Sequence, residues 1–210
     1  AATHAEITGG EDGGSHQSVE DLSLMRSIPN MTVLCPADAV ETRACILAAA
    51  SFKGPVYIRL GRSKVPVIYD AGSFNYEIGK AMTVKEGSDV TIIATGIMVS
   101  KALDASYTLQ NQGVSARVID MHTIKPVDRE AIIKAAKETG AIVTVEEHNI
   151  IGGLGSAVAE VLSEEYPTIL KRIGLNDVFG QSGKPDELLE YYGLTSDNIV
   201  KEVNRIVLKK

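Results

Sequence analysis

The chain has 210 residues, 44% hydrophobic and 23% charged, enough apolar matter to bury a real core and too little charge for a disordered polymer. Its formal net charge of −6 excludes nucleic acid as the main partner, because no basic excess is available to neutralise phosphates. Apolar runs such as Val90 to Ala94 are far too short to cross a bilayer, and no basic stretch followed by an apolar one marks the chain for export. A cytoplasmic location is therefore expected, with no membrane partner and with Cys35 and Cys45 as reduced, buried apolar residues.

The first sixteen residues carry two of the four histidines, three acidic side chains and four glycines, and almost nothing that builds a core. Residues 15–28 then read as a helix, with Val19, Leu22, Met25 and Ile28 every third position, a serine to cap it and Glu20 and Asp21 in its first turns. Pro29-Asn30 stops it, and residues 31–35 read as a short buried strand. Asp38 and Glu41 have the capping-box spacing and open an alanine-rich helix to about residue 51. Gly54-Pro55 leads into a strand at 56–60.

Residues 61 to about 78 lose periodicity. They are read as a linker, spanning 63–78, between a first domain at 1–62 and a second at 79–210. In the second domain, strands are expected near 80–84, 89–94, 116–120, 141–145 and 169–173. Helices are expected at 99–111, from Asp128 to a C′ glycine at Gly140, at 154–162, at 185–192 and at 197–209. In the last of these, Val200, Val203, Ile206 and Val207 share a face. Strands alternating with helices predict a doubly wound parallel sheet.

Four constellations carry candidate chemistry. His4, Asp12 and His16 put imidazoles and a carboxylate on one loop, suited to binding hydroxyls, moving protons or holding phosphate; a solvated polar loop is the equal alternative. Arg62 follows a buried strand at its carboxyl end, where ligands sit in parallel sheets and where a guanidinium can grip a carboxylate or phosphate; taken alone, a structural or surface arginine is the weightier alternative. Arg59, inside that strand, is read as a pairing residue across the sheet. The run Gly152-Gly153-Leu154-Gly155 mimics a dinucleotide fingerprint, but a tight turn with close helix packing accounts for it better, with Glu147 and His148 in an interface or ion network. His122, at a strand end, is read as loop packing or a subunit contact.

The segments Thr3-His4, Gly10-Glu11-Asp12-Gly13-Gly14-Ser15-His16-Gln17, Glu20-Asp21, Met25-Arg26, Pro29-Asn30-Met31, Pro36-Ala37-Asp38 and Gly54 to Arg62 resemble the pyrimidine-binding domain of transketolases. Asp120 to Asp128 and Val145 to Ala157 resemble the C-terminal domain of the same family, above all the C-terminal section of its split forms. The resemblance implies an incomplete parallel-sheet pyrimidine-binding domain followed by a doubly wound C-terminal domain. It also implies a transferase that moves a two-carbon ketol unit between sugar phosphates. His4 and Arg62 would hold the sugar phosphate, Asp12 an acceptor hydroxyl, and His16 would lie beside the reacting carbon. Thiamine diphosphate and Mg²⁺ are implied as cofactors, held mainly by parts outside this chain. The implied partners are sugar phosphates, an N-terminal transketolase section and a second copy in a dimer.

Two alternatives remain at this point. One is a non-catalytic assembly or dimerisation module; the other is part of a deoxyxylulose-phosphate synthase. The isolated chain is expected to be inactive, and residues 4–14, lacking packing partners, are expected to be poorly ordered or displaced.

Overall fold

The computed structural model describes residues 2–3 and 5–210. His4 lies outside the described residues. Two sheets organise the chain. The first has the order β1 (Ala2–Thr3), β3 (Val56–Leu60), β2 (Thr32–Leu34), β7 (Thr123–Lys125). β2 runs parallel to β3, with Val33 opposite Tyr57, whereas β7 comes from the second half of the chain and pairs antiparallel with β2. The second sheet has the order β4 (Met82–Lys85), β6 (Ala116–Asp120), β5 (Val90–Ala94), β8 (Ala141–Asn149), β9 (Ile169–Leu175). Its strands are parallel except β4, which lies antiparallel on β6. The mixed α/β class with parallel strands is as expected, and the antiparallel edge strand is an addition to it.

Several elements stand where local chemistry puts them. α2 (Ala39–Ser51) starts at Asp38, whose carboxylate accepts the Glu41 N–H at 2.8 Å. α4 (Arg129–Thr139) starts at Asp128 and ends on Gly140 at φ 65°, a left-handed position that glycine fills without strain. α3 (Met98–Asn111), α5 (Leu154–Glu165), α6 (Pro185–Tyr191) and α7 (Ser196–Val207) lie near their expected positions. On α7, Val200, Val203 and Ile206 are buried, as the spacing requires.

The expected helix at 15–28 is only partly formed: α1 spans Asp21–Ser27. The preceding backbone is claimed by distant partners. Ser18 bridges Ala5 and its carbonyl accepts the Glu6 N–H, while the Val19 carbonyl accepts the Asn149 N–H at 2.8 Å. Tertiary hydrogen bonds outweigh local helix propensity there. Val19, correctly read as apolar, is buried among C-terminal residues such as Val143 and Leu175.

Residues 63–78 form no helix or strand, but they are tied down. Ile68 and Tyr69 donate backbone N–H groups to Asp38 Oδ2 at 2.7 and 3.0 Å. The Tyr69 ring meets Phe74 at 4.2 Å, and Tyr76 meets His122 at 4.3 Å. The core crosses this strap. Ile7, Val19 and Ala37 pack with β5, β8 and α3; Leu22, Val33 and Cys35 pack with Ile93, Met121 and Leu154.

Candidate functional site

The glycine-rich segment is folded and packed, contrary to the expectation that residues 4–14 would be displaced. Ile7–Asp12 forms tight 3₁₀ turns broken at Gly10 (φ 79°, ψ −125°), and Ile7, Thr8, Gly9 and Gly10 are buried. The partners come from this chain's own second half. The Thr8 N–H donates to Glu147 Oε1 at 2.7 Å, and Pro185 lies against Gly10.

This packing brings two of the predicted residues together. Arg62 Nη1 donates to Asp12 Oδ2 at 2.6 Å and to the Gly9 carbonyl at 2.8 Å. Both side chains are about half exposed, 47% and 50%, so their ion pair is worth only ~0.2–1 kcal/mol and exchanges readily for another anion. They line a cleft of about 250 Å³ with Thr8, Gly9, Gly10, Glu11, Ser63 and Pro185. Among the described residues, Arg62 Nε and Nη2 donate to no protein acceptor. A guanidinium with free N–H groups, a neighbouring carboxylate and exposed main chain suits an anionic, hydroxyl-rich ligand. His16 does not join this cleft: it is exposed, with its ring Nδ1 3.0 Å from Ser15 Oγ.

Beneath the cleft lies a buried charge network. Arg59, 2% exposed, grips Asp21 through Nε and Nη2 at 2.9 and 3.0 Å. It also donates from Nη1 to the Glu147 carbonyl at 2.9 Å and to Glu6 Oε1 at 3.4 Å, and from Nη2 to the Ser18 carbonyl at 3.2 Å. Every guanidinium N–H is thereby used. Asp21 and Glu6 keep Arg59 charged against the cost of burial.

Glu6 and Glu147 are both pushed above the usual carboxylate range, first by burial; for Glu147 the Glu6 charge adds to it. Glu147 Oε2 has no other protein partner among the described residues. One proton held between the two carboxyls satisfies it. Glu6 also sits at φ 89°, ψ 165°, a region that is essentially glycine's, at a cost of ~1–3 kcal/mol. The carboxyl lies against the end of β3: Glu6 Oε2 stands where a side chain on Gly61 would be.

A second buried acidic pair ties the strap to the C-terminal sheet. Glu41 Oε2 accepts the Ala37 N–H at 2.6 Å, so the expected capping box is half formed: Asp38 caps α2, and Glu41 turns inward. Burial first, then the Asp120 charge, pushes Glu41 up to about 10. Asp120, raised by burial to about 7, accepts the Tyr69 hydroxyl at 2.7 Å. Among the described residues, Glu41 Oε1 and Asp120 Oδ1 have no other protein partner; a protonated Glu41 donating to Asp120 satisfies both.

The remaining candidates are structural. Glu146 caps α5, accepting N–H groups from Leu154 and Gly155 at 2.7 and 2.8 Å. A carboxylate thus occupies the helix start where a dinucleotide would place phosphate. A side chain at Gly153 would overlap it, which is the close-packed turn expected. His148 is fully buried and lowered by burial to about 4, its Nδ1 2.6 Å from the Asn149 carbonyl. His122 is buried, lowered by burial to about 4, and stacks on Tyr76, as loop packing requires.

Sequence reading passed over Glu6, Asp21 and Glu41 as functional neighbours. The available signal was Arg59: a charge inside the apolar strand Val-Tyr-Ile-Arg-Leu cannot be buried without carboxylates. For cofactors, the described residues contain no group of three or more His, Cys, Asp or Glu placed to hold a metal ion. The donor set does not fit the Mg²⁺ that the resemblance implies and places mainly outside this chain.

Comparison with known proteins supports the same frame. The family model for the transketolase pyrimidine-binding domain matches residues 1–67, and that for the transketolase C-terminal domain matches residues 79–199. A Methanocaldococcus jannaschii protein named "Putative transketolase C-terminal section" is 52% identical over 204 residues, covering 96% of this chain and 64% of that protein. The 6-deoxy-6-sulfo-D-fructose transketolase subunit SqwH of a Clostridium species is 47% identical, covering 97% of this chain and 63% of its own length. A solved split-gene transketolase, described as an inactive beta4 tetramer, superposes with a TM-score of 0.90 at 52% identity, covering 99% of this chain and 65% of that one. The chain thus spans just under two thirds of the length of these relatives. No helix among the described residues is long and apolar enough to cross a membrane. Matched across both domains and by relatives of around 50% identity, the chain belongs to the transketolase family, whose members are transferases that use thiamine diphosphate.

Proposed function

We propose that this chain is the substrate-side section of a transketolase, transferring a two-carbon ketol unit between sugar phosphates once joined to a section that holds the cofactor. The observation that carries the reading is the half-exposed Arg62–Asp12 pair on the glycine-rich segment, with two guanidinium edges free. Arg62 binds the phosphate by displacing the weakly held Asp12, and the released Asp12 carboxylate accepts a hydroxyl of the sugar. His4 is proposed as a second phosphate ligand. His16, exposed next to the segment, is proposed to reach the reacting carbon when the second section closes over it.

Relatives named as transketolase subunits, and a neighbour described as a tetramer, support a two-section, oligomeric enzyme. Domains at 1–62 and 79–210 joined by 63–78 are part of the same proposal, in keeping with family matches at 1–67 and 79–199. A non-catalytic assembly role accounts for the buried junction but leaves the free guanidinium edges of Arg62 without a use.

The test combines this chain with the cofactor-holding section and measures ketol transfer; the chain alone is expected to show none. Arg62→Ala should then weaken phosphorylated substrates at least tenfold more than unphosphorylated analogues. Equal losses on both would remove Arg62 from a phosphate site.

A further inference from the structure

The glycine-rich segment is pressed against residues 180–185, more than 160 positions along the chain, and one buried amide holds the two together. Gln17, 7% exposed, directs its Nε2 at three carbonyls: Ile7 at 3.0 Å, Gly10 at 3.1 Å and Gln181 at 3.0 Å. Gly10 lines the Asp12–Arg62 cleft, Ile7 opens the same turn, and Gln181 belongs to the loop before α6. The approach is close enough to exclude side chains on either side. A Cβ on Gly13 would lie 2.5 Å from Ser182 Oγ, one on Gly14 would overlap the Gly180 carbonyl, and one on Gly180 would overlap Gln17 Oε1. At Gly10 the Pro185 ring comes within contact distance, and Pro185 is itself a wall of the cleft.

We propose that Gln17 is a positioning residue for the Asp12–Arg62 cleft, acting by clamping segment 181–185 onto the glycine-rich segment so that Pro185 stands at a set distance from the two charged groups. The inference rests on the reading of that cleft as a site for phosphorylated ligands. Its physical basis is geometric. A neutral amide hydrogen bond contributes little to stability by itself, but a displacement of about 1 Å in a binding wall can cost on the order of a hundredfold in function. The proline ring lacks the torsional freedom to follow a shifted loop.

The test titrates inorganic phosphate into this chain by calorimetry, using the parent, Gln17→Ala, Gly180→Ala and the double variant, each checked for folding by circular dichroism. Either single change is expected to weaken phosphate at least tenfold. The double variant is expected to be no weaker than the worse single one, because a methyl at 180 no longer meets the Gln17 carbonyl oxygen. Parent-like affinity in Gln17→Ala overturns the proposal, as do losses that multiply in the double variant. Amide hydrogen exchange gives a second readout: residues 7–13 and 180–185 should speed up together in Gln17→Ala while β5 and β8 stay protected. If the parent itself binds no phosphate, the phosphate reading falls. Exchange then decides the clamp, and unchanged protection at 7–13 in Gln17→Ala overturns it.

Discussion

Glu41→Gln should remove one of the two titrating carboxyls at the junction with Asp120, and with it that group's share of the pH dependence. Glu41 is fully buried and is pushed up to about 10 by burial and by the Asp120 charge, whereas an unfolded glutamate titrates near 4.5. A carboxyl raised in the folded state contributes stability fully below the unfolded value, and that contribution is lost as pH rises toward the folded one. From about pH 5 to about pH 8 the folded chain therefore holds one more proton here than the unfolded chain. Each pH unit removes about 1.4 kcal/mol.

Glutamine copies the protonated form. Its oxygen can accept the Ala37 N–H, and its amide can donate to Asp120. Its surplus N–H lacks an acceptor and costs ~1–3 kcal/mol. The variant should be the less stable protein at pH 5 and the more stable one at pH 8, the difference changing by about 4 kcal/mol over the interval. Urea unfolding at pH 5, 6, 7 and 8 measures this. The lowered His122 and His148 are common to both proteins and cancel in the difference. A gap that does not change with pH would refute a protonated Glu41.

The buried network under the cleft makes two further predictions. Arg59→Met leaves Asp21 and Glu6 without their cation and should cost about 3–5 kcal/mol in urea unfolding at pH 8. The deficit should shrink at pH 5, where the Glu6 carboxyl, raised by burial, holds its proton; an equal deficit at both would contradict the charge argument. Glu6→Gly relieves a backbone held at φ 89°, worth ~1–3 kcal/mol, and removes one of two carboxyls that share a proton. It should be at least as stable as the parent at pH 8, and a loss above about 1 kcal/mol would show that the carboxyl outweighs the strain.

Much of the fold was legible because its causes are local. Asp38 three residues before Glu41, Asp128 three before Ala131 and the glycine at 140 are signals read within one helical turn. The strand Val56–Leu60 and the apolar stripe of α7 follow from periodicity alone. Failures occurred where a distant partner intervened. Residues 15–20 were drawn out of their expected helix by Ala5, Glu6 and Asn149. β7, three residues long, exists because β2 offers it an edge. In the candidate site, Arg62 meets Asp12, whereas the motif resemblance gave Arg62 and His4 to a phosphate and Asp12 to a hydroxyl without pairing Arg62 with Asp12. The separation of His16 from their cleft was not readable, because Asp12 and His16 lie four residues apart in sequence.

By itself the sequence determined the family, the α/β class, most helix ends and two separate charged candidates, Asp12 on the glycine-rich loop and Arg62 after a strand. Tertiary structure alone decided where buried charge goes. Thr8 meets Glu147 across 139 residues, and Gln17 meets Gln181 across 164. Glu41, on α2, and Asp120, at the end of β6, share a proton because the fold buries the two carboxyls beside each other. The physical reason is that a charge or amide is costly to bury only once its solvent is gone, and no window of local sequence records which distant groups will replace that water.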